Sequence, residues 1–347
     1  MAQQLGIAKE QSFHFNILKR KPKIAYFILV NRFPKHFERL FKAIYHPENH
    51  YLIHIDQEVD RKIEKDVKAF LEDYSSAYLL KSKNINKVVC SMMQSQLNGM
   101  KYLLNRCLKW DFFINLSDQD FPLKSQDFIF DFLQKNKGKN FIKIVNQVSV
   151  RPDVLNRVEN YFQEMDIAFS GIPYKRSFMK NVTSHVGGQW MILTRACCEF
   201  VSHSPEVNKF KNFYRTILHA HESFFQTVLM NTSFKETIIN DDKRIVLCIA
   251  DGDTKLKPKK MIDSDIDFLM QGDNLFARKF DERVDESILN ILEKTLNKGQ
   301  ITNNSNRINY NPISTFTIDT KKSILLDQKT IIHPPIQLPK QTLNGNK

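Results

Sequence analysis

Asp118-Gln119-Asp120 closes one apolar run, and Asp251-Gly252-Asp253 follows another, Ile245 to Ile249. Each sets two carboxylates two residues apart, a spacing that can hold a divalent ion against a diphosphate. Acidic pairs also stand in turns on their own account, because Asp bonds nearby backbone. His219, His221 and Glu222 form a small cluster, but no second His-rich segment completes a zinc site. Glu222 opens an aromatic-rich helical stretch, Ser223 to Leu229. A carboxylate there suits a general base acting on a hydroxyl, and equally an acid at a helix N-terminus. Lys255, Lys257, Lys259 and Lys260 share one loop, and Arg278-Lys279 follows Leu275-Phe276-Ala277. Two cationic segments can converge on a diphosphate and neutralise a leaving group without metal; a solvated basic surface is the alternative. The chain has no Gly-rich phosphate loop and no GxSxG elbow, so dinucleotide-binding, P-loop and serine-hydrolase readings fall.

These residues need elements to hold them. Ile24 to Val30 is a continuous apolar run bounded by Pro22 and Asn31-Arg32, the pattern of a strand buried on both faces. Phe37 to Ile44 reads as a helix, Tyr51 to Asp56 as a second strand, Asp60 to Tyr74 as a helix and Ala77 to Leu80 as a third strand. Ser91 to Leu108 is a long amphipathic helix; Phe112 to Leu116 and Phe141 to Val145 are strands. Trp190 to Leu193 reads as a strand after Gly187-Gly188, with helices over Glu199 to Leu218 and Ser223 to Leu229. The alternation predicts an α/β domain with a mainly parallel sheet and helices on both faces. Ligands bind such sheets at the carboxyl ends of strands, which directs attention to Asn31, Asp56 and the turn from Ser117 to Asp120.

The chain divides into an N-terminal extension (1–21), one domain (22–295) and a polar extension (296–347) rich in Asn, Thr, Ile and Pro, read as disordered. With 27 Phe and 10 Tyr the whole cannot be disordered, since those rings supply the apolar area that offsets ordering entropy. Lys and Arg outnumber Asp and Glu by 51 to 38, a net +13 that favours anionic partners. The five cysteines, Cys90, Cys107, Cys197, Cys198 and Cys248, contain no CxxC pair and read as reduced thiols of a cytoplasmic protein. No apolar run reaches the ~18 residues of a membrane span, and no signal peptide is visible. Lys19-Arg20-Lys21-Pro22-Lys23 is a candidate peripheral contact with an anionic membrane at its inner face.

Several blocks recur together. Ile24 to Val30, Phe41 to Pro47 and Tyr51 to Asp56 come first, then Trp110 to Ser117 with Asp120-Phe121-Pro122-Leu123. Gly187-Gly188-Gln189-Trp190-Met191-Ile192-Leu193-Thr194-Arg195, Glu222 to Leu229 and Leu275 to Phe280 complete the set. In this order they resemble the core 2/I-branching β-1,6-N-acetylglucosaminyltransferase family, which also contains the peptide O-xylosyltransferases (glycosyltransferase family 14). The resemblance covers roughly residues 22–295. It implies a GT-A-type fold and inverting transfer from a UDP-sugar, with basic side chains rather than a metal at the diphosphate and no cofactor.

Glu222 matches the family's catalytic base. Lys279, beside Arg278, matches a leaving-group stabiliser, and Lys259 or a neighbouring lysine is the second cation. Asp120 would bond hydroxyls of the donor sugar, Asp56 would contact the uridine, and Val30 would line the base pocket. Arg157, Gln189 and Trp190 are acceptor-side candidates. Lys87 stands where the family often places an aromatic residue near the nucleotide.

The expectation is therefore a metal-independent inverting glycosyltransferase with a glycan or lipid-linked saccharide as acceptor, serving surface polysaccharide or glycoconjugate synthesis. N-acetylglucosamine is the first donor sugar and xylose the alternative. Two other classes compete. A saccharide-binding protein without turnover would bind UDP and transfer nothing. A nucleic-acid-binding protein would use the +13 charge, but the chain has no stacking module and no basic stripe, so no nucleic-acid partner is expected.

Overall fold

The structure is a computed structural model that describes residues 20–55, 59–80, 91–106, 109–146, 160–161, 164–165, 168–169, 174–175, 177–217, 219–250 and 256–302. Its centre is a seven-stranded sheet. In chain order the strands are β1 (Ile24–Val30), β2 (His50–Ile55), β3 (Ala77–Leu80), β4 (Phe112–Ser117), β6 (Asn140–Ile142), β7 (Met191–Thr194) and β8 (Ile238–Ile239). β5 (Asp120–Pro122) belongs to a second sheet. Across the main sheet the order is β8-β6-β7-β4-β1-β2-β3. β3, β2, β1 and β4 run parallel, as do β8 and β6, and β7 is antiparallel to both of its neighbours.

β1 shows why the sheet is central. Successive side chains of a strand point to opposite faces, and in β1 both faces are apolar. Ile24, Tyr26, Ile28 and Val30 enter one core, and Ala25, Phe27 and Leu29 the other. The first core lies under helices α1 (Pro34–Ile44), α2 (Arg61–Leu71), α4 (Gln126–Lys135) and α8 (Ser287–Thr302), through Phe37, Phe41, Val67, Ile129, Leu133 and Leu289. The second lies under α3 (Ser91–Asn105), α5 (Arg195–His203), α6 (Pro205–Tyr214) and α7 (Phe224–Met230). Each fully buried Phe or Ile contributes roughly 1.5–3 kcal/mol, so the doubly apolar run commits β1 to the middle of the sheet. Gly99 of α3 packs directly on the Phe27 ring, where a Cβ would come within 2.7 Å of two ring carbons.

The second sheet has three short strands, β9 (Arg244–Val246), β10 (Phe276–Arg278) and β5, with β10 in the middle. It hangs from the end of β4, because β5 begins three residues after β4 ends. In the antiparallel register of β10 with β5, Arg278 stands opposite Asp120.

Helices occupy both faces as expected, although α4 and α8 are not read from the sequence and several other helices differ in their bounds. The segment from Glu199 to Leu218, read as one helix, breaks at Ser204-Pro205 into α5 and α6. Pro205 has no N–H for an interior turn and fits the first turn of a new helix, while the Ser204 hydroxyl accepts from Glu206 N at 3.3 Å. Pro34 likewise starts α1 three residues ahead of the expected Phe37. The extensions at 1–19 and 303–347 lie outside the described residues.

Candidate active site

The carboxyl ends of β1 and β4, the second sheet and the loop from Gly187 to Trp190 come together, and Glu222 is bonded to that loop through Gly187. Asp118 and Asp120, two residues apart, take different roles there. Asp118 Oδ2 accepts from the backbone N–H groups of Asn31 and Arg32, both at 2.7 Å, and of Phe33 at 3.1 Å. It ties down the loop that leaves β1. Asp120 is fully buried. Its Oδ2 accepts from Ser117 N at 2.6 Å and from the Ser117 hydroxyl at 2.7 Å. Its Oδ1 faces Nε of Arg244 at 3.4 Å and Nε of Arg278 at 3.8 Å, as charge contacts rather than aligned hydrogen bonds.

Both guanidinium groups lie over the Trp190 ring, each Cζ 4.3 Å from its centroid. Such stacking is favourable for a desolvated cation on an indole. Burial holds both arginines below the usual guanidinium range while Asp120 opposes the shift. Arg244 also donates from Nη2 to the Asn115 carbonyl at 3.0 Å. Beside it, burial pushes the Asp242 carboxyl up to about 6, against the pull of Arg244.

Asn115, a buried amide in the middle of β4, ties the next segment in. Its Nδ2 donates to the Gln189 carbonyl at 2.7 Å, and its Oδ1 accepts from Met191 N at 2.8 Å. Gln226 Nε2 of α7 donates to the Gly188 carbonyl at 2.7 Å. Gly187 admits no side chain, since a Cβ would stand 1.9 Å from the Lys143 carbonyl oxygen. Gly187 N donates to the Glu222 carbonyl at 2.7 Å, so the loop before β7 that presents Trp190 also fixes the backbone of Glu222.

Glu222 ends a short 3-10 turn, Ala220–Glu222, and is mostly buried, 8% exposed. His219 precedes the turn with a left-handed φ of 55°. Helix α7 begins only at Phe224, with Ser223 as its N-cap residue. Glu222 therefore stands outside the helix's first turn, which weighs against the capping role.

The lysines differ sharply in what they face. Lys259 donates to Asp265 and Lys260 to Asp281. Lys279, half-buried, accepts from Met261 N through its carbonyl, but its ammonium has no hydrogen-bond or ion-pair partner among the described residues. Burial lowers its pKa, and the nearby charges of Arg278, Arg32 and Lys260 lower it further, against Asp120. Val30 closes β1 and is fully buried in the first core. Gln189 and Trp190 lie at the site through the contacts above. Asp56, Lys87, Arg157, Lys255 and Asp251 to Asp253 lie outside the described residues.

Sequence reading missed Arg244, Asn115 and Gln226. Asn115 left a trace as one amide inside the apolar run Phe112 to Leu116, and a buried polar group calls for partners. Arg244 left none, because its neighbours Asp120, Asn115 and Trp190 are far away in the chain.

The family profile described as Core-2/I-Branching enzyme matches residues 24–266. The chain belongs to that family. It is 29% identical over 289 residues to xylosyltransferase 2 of Homo sapiens, covering 78% of this chain and 33% of that protein. It is 29% identical over 299 residues to xylosyltransferase oxt of Drosophila pseudoobscura pseudoobscura, covering 80% and 34%. The chain thus spans about a third of the length of these relatives.

Among solved structures it is similar to the galactosyltransferase LgtC in complex with donor and acceptor sugar analogues. The TM-score is 0.38 at 11% identity, over 79% of this chain and 96% of that one. It is also similar to core-mannan synthase A of Aspergillus fumigatus, at TM-score 0.34 and 6% identity, over 63% and 72%. This member of the Core-2/I-branching family has the expected α/β arrangement, a central, mainly parallel sheet with helices on both faces.

Proposed function

We propose that the chain catalyses inverting transfer of a sugar from a UDP-sugar to a hydroxyl of a glycan or lipid-linked saccharide, with side-chain cations rather than a metal at the diphosphate. The observation that carries this reading is Lys279. A half-buried ammonium beside Arg278, Arg32 and Lys260, without an acid of its own among the described residues, stands where an anion would relieve it. A diphosphate at the strand ends answers that excess.

In the reaction Glu222 takes the proton of the acceptor hydroxyl. The hydroxyl oxygen bonds to the anomeric carbon, the bond from that carbon to the diphosphate oxygen breaks, and its electron pair leaves with UDP. Lys279 and Arg278 oppose the charge that grows on the leaving oxygen. Asp120, fully buried, held by Ser117 and faced by two arginines, serves the donor in this reading by fixing Arg244 and Arg278 in place.

The metal-free reading is supported by the donor set. Asp118 gives one oxygen to three amides, and Asp120 gives one to Ser117 and turns the other to two cations. Lys259 is weaker as the second cation, since Asp265 already holds it; Arg278 fills that place better. The relatives' names favour xylose over N-acetylglucosamine as the donor sugar. A saccharide-binding protein without turnover remains the competing class.

The test is UDP release from a panel of UDP-sugars, with EDTA throughout and a saccharide acceptor mixture. Turnover of one donor is the expected result. UDP binding by calorimetry with no release from any donor would leave a binding protein instead.

A further inference from the structure

Three side chains with metal-binding atoms meet at the turn before α7. One ligand atom each from His219, His221 and Glu222 lies within 4.8 Å of the others. The imidazole rings of the two histidines are 5.8 Å apart and set edge to face. Nε2 of His221 is 3.9 Å from Oε1 of Glu222. The backbone carrying them is pinned: Glu222 N donates to the His219 carbonyl at 2.9 Å and Ser223 N to the Ala220 carbonyl at 3.2 Å, while Gly187 N holds the Glu222 carbonyl. The sequence has no second His-rich segment to supply a fourth ligand. None is required, because zinc sites with three protein ligands and a water in the fourth position are common. Zinc–ligand bonds of ~2.0–2.1 Å set tetrahedral ligand atoms about 3.4 Å apart, so the three ligand atoms must draw together by about an ångström when an ion binds. Two imidazoles and one carboxylate select a zinc-class ion over magnesium or calcium, which prefer oxygen.

We propose that His219, His221 and Glu222 form a zinc-class site whose metal takes the carboxylate needed as base, so that metal binding and sugar transfer exclude each other. The second half of this statement rests on the reading of Glu222 in the proposed function; the site itself does not. A bound cation draws on the Glu222 carboxylate and lowers its basicity toward the acceptor's proton.

The test is calorimetric titration of the full chain with zinc chloride in chelator-free buffer, repeated with cobalt(II) to read its visible absorption. One ion per chain is expected. His219→Ala and His221→Ala should each weaken it by at least about tenfold, with His219→Asn and His221→Gln as variants that keep the side-chain bulk should either alanine variant unfold. Affinity unchanged in all four, or no binding at all, overturns the site. UDP-sugar turnover is followed in the same preparation. Zinc bound by a chain that turns over no donor upholds the site while the proposed function fails. Turnover undiminished at saturating zinc overturns the exclusion.

Discussion

The two halves of the site are held by different means. The strand-end half, Asp120 with Arg244, Arg278 and Trp190, is locked by cross-strand register and enclosed by two sheets. The turn half, His219 to Glu222, is a single short turn held by backbone hydrogen bonds. The strand-end half gathers cations in excess, and the turn half presents one carboxylate with two imidazoles. Rigid strands suit groups that must hold a diphosphate in a fixed place. A base that must approach different acceptor hydroxyls suits a turn at the edge. Changes in the turn should therefore act on chemistry, and changes at the strand ends on binding and stability.

Glu222→Gln is the sharpest test of the division. Turnover should fall about 10²–10⁴-fold while UDP affinity, measured by calorimetry, stays within about twofold. A large loss of UDP affinity would merge the two halves. Next comes Arg244→Ala, which strips one partner from a buried ion cluster. It should lower unfolding stability in denaturant melts by about 3–5 kcal/mol and weaken UDP, even though Arg244 is enclosed rather than exposed to ligand. Unchanged stability would mean that Arg278 alone balances Asp120.

How much of this was legible beforehand depends on sequence distance. β1 and β4 were readable because their apolar runs state burial on both faces; Glu222 and Lys279 were singled out because each sits in a short block of recognisable order. The break at Ser204-Pro205 was missed even though proline cannot continue a helix, because the apolar periodicity on either side masked it. Arg244 was out of reach. Its ligand carbonyl on Asn115 is 129 residues away, and a charged residue ahead of an apolar run reads as an ordinary strand flank. The Lys259–Asp265 pair was hidden for another reason: six residues separate them, and only the turn of the chain brings them together.

Lys279→Met probes the cost of assembling cations. The fold depresses this lysine's pKa, so its protonated form is less favourable folded than unfolded. That penalty is present below the folded pKa and relieved above the unfolded one. The substitution should raise the melting temperature of the free protein at neutral pH while weakening UDP. In the unaltered chain, UDP affinity should decline with rising pH before the ordinary lysine range of ~10.4 is reached. A lower melting temperature would mean that Lys279 has an acid partner. Lys259→Ala should matter least among the lysines, because a partly exposed pair contributes about 0–1 kcal/mol; UDP affinity should change less than threefold. EDTA should leave transfer level or raise it slightly by stripping adventitious zinc. Activity lost to EDTA and restored by Mn²⁺ would return Asp118 and Asp120 to a metal role.

The loop after β1 carries one more consequence. In many nucleotide-binding folds a strand-end loop turns successive N–H groups toward a phosphate. Here three successive N–H groups converge on Asp118 instead. The protein supplies its own anion to this cradle and seals it against phosphate. On the proposed function, a chain that has filled its backbone nest with a carboxylate recruits long, flexible cations from elsewhere to greet the nucleotide, and its donor grip can then be retuned one side chain at a time without rebuilding the loop.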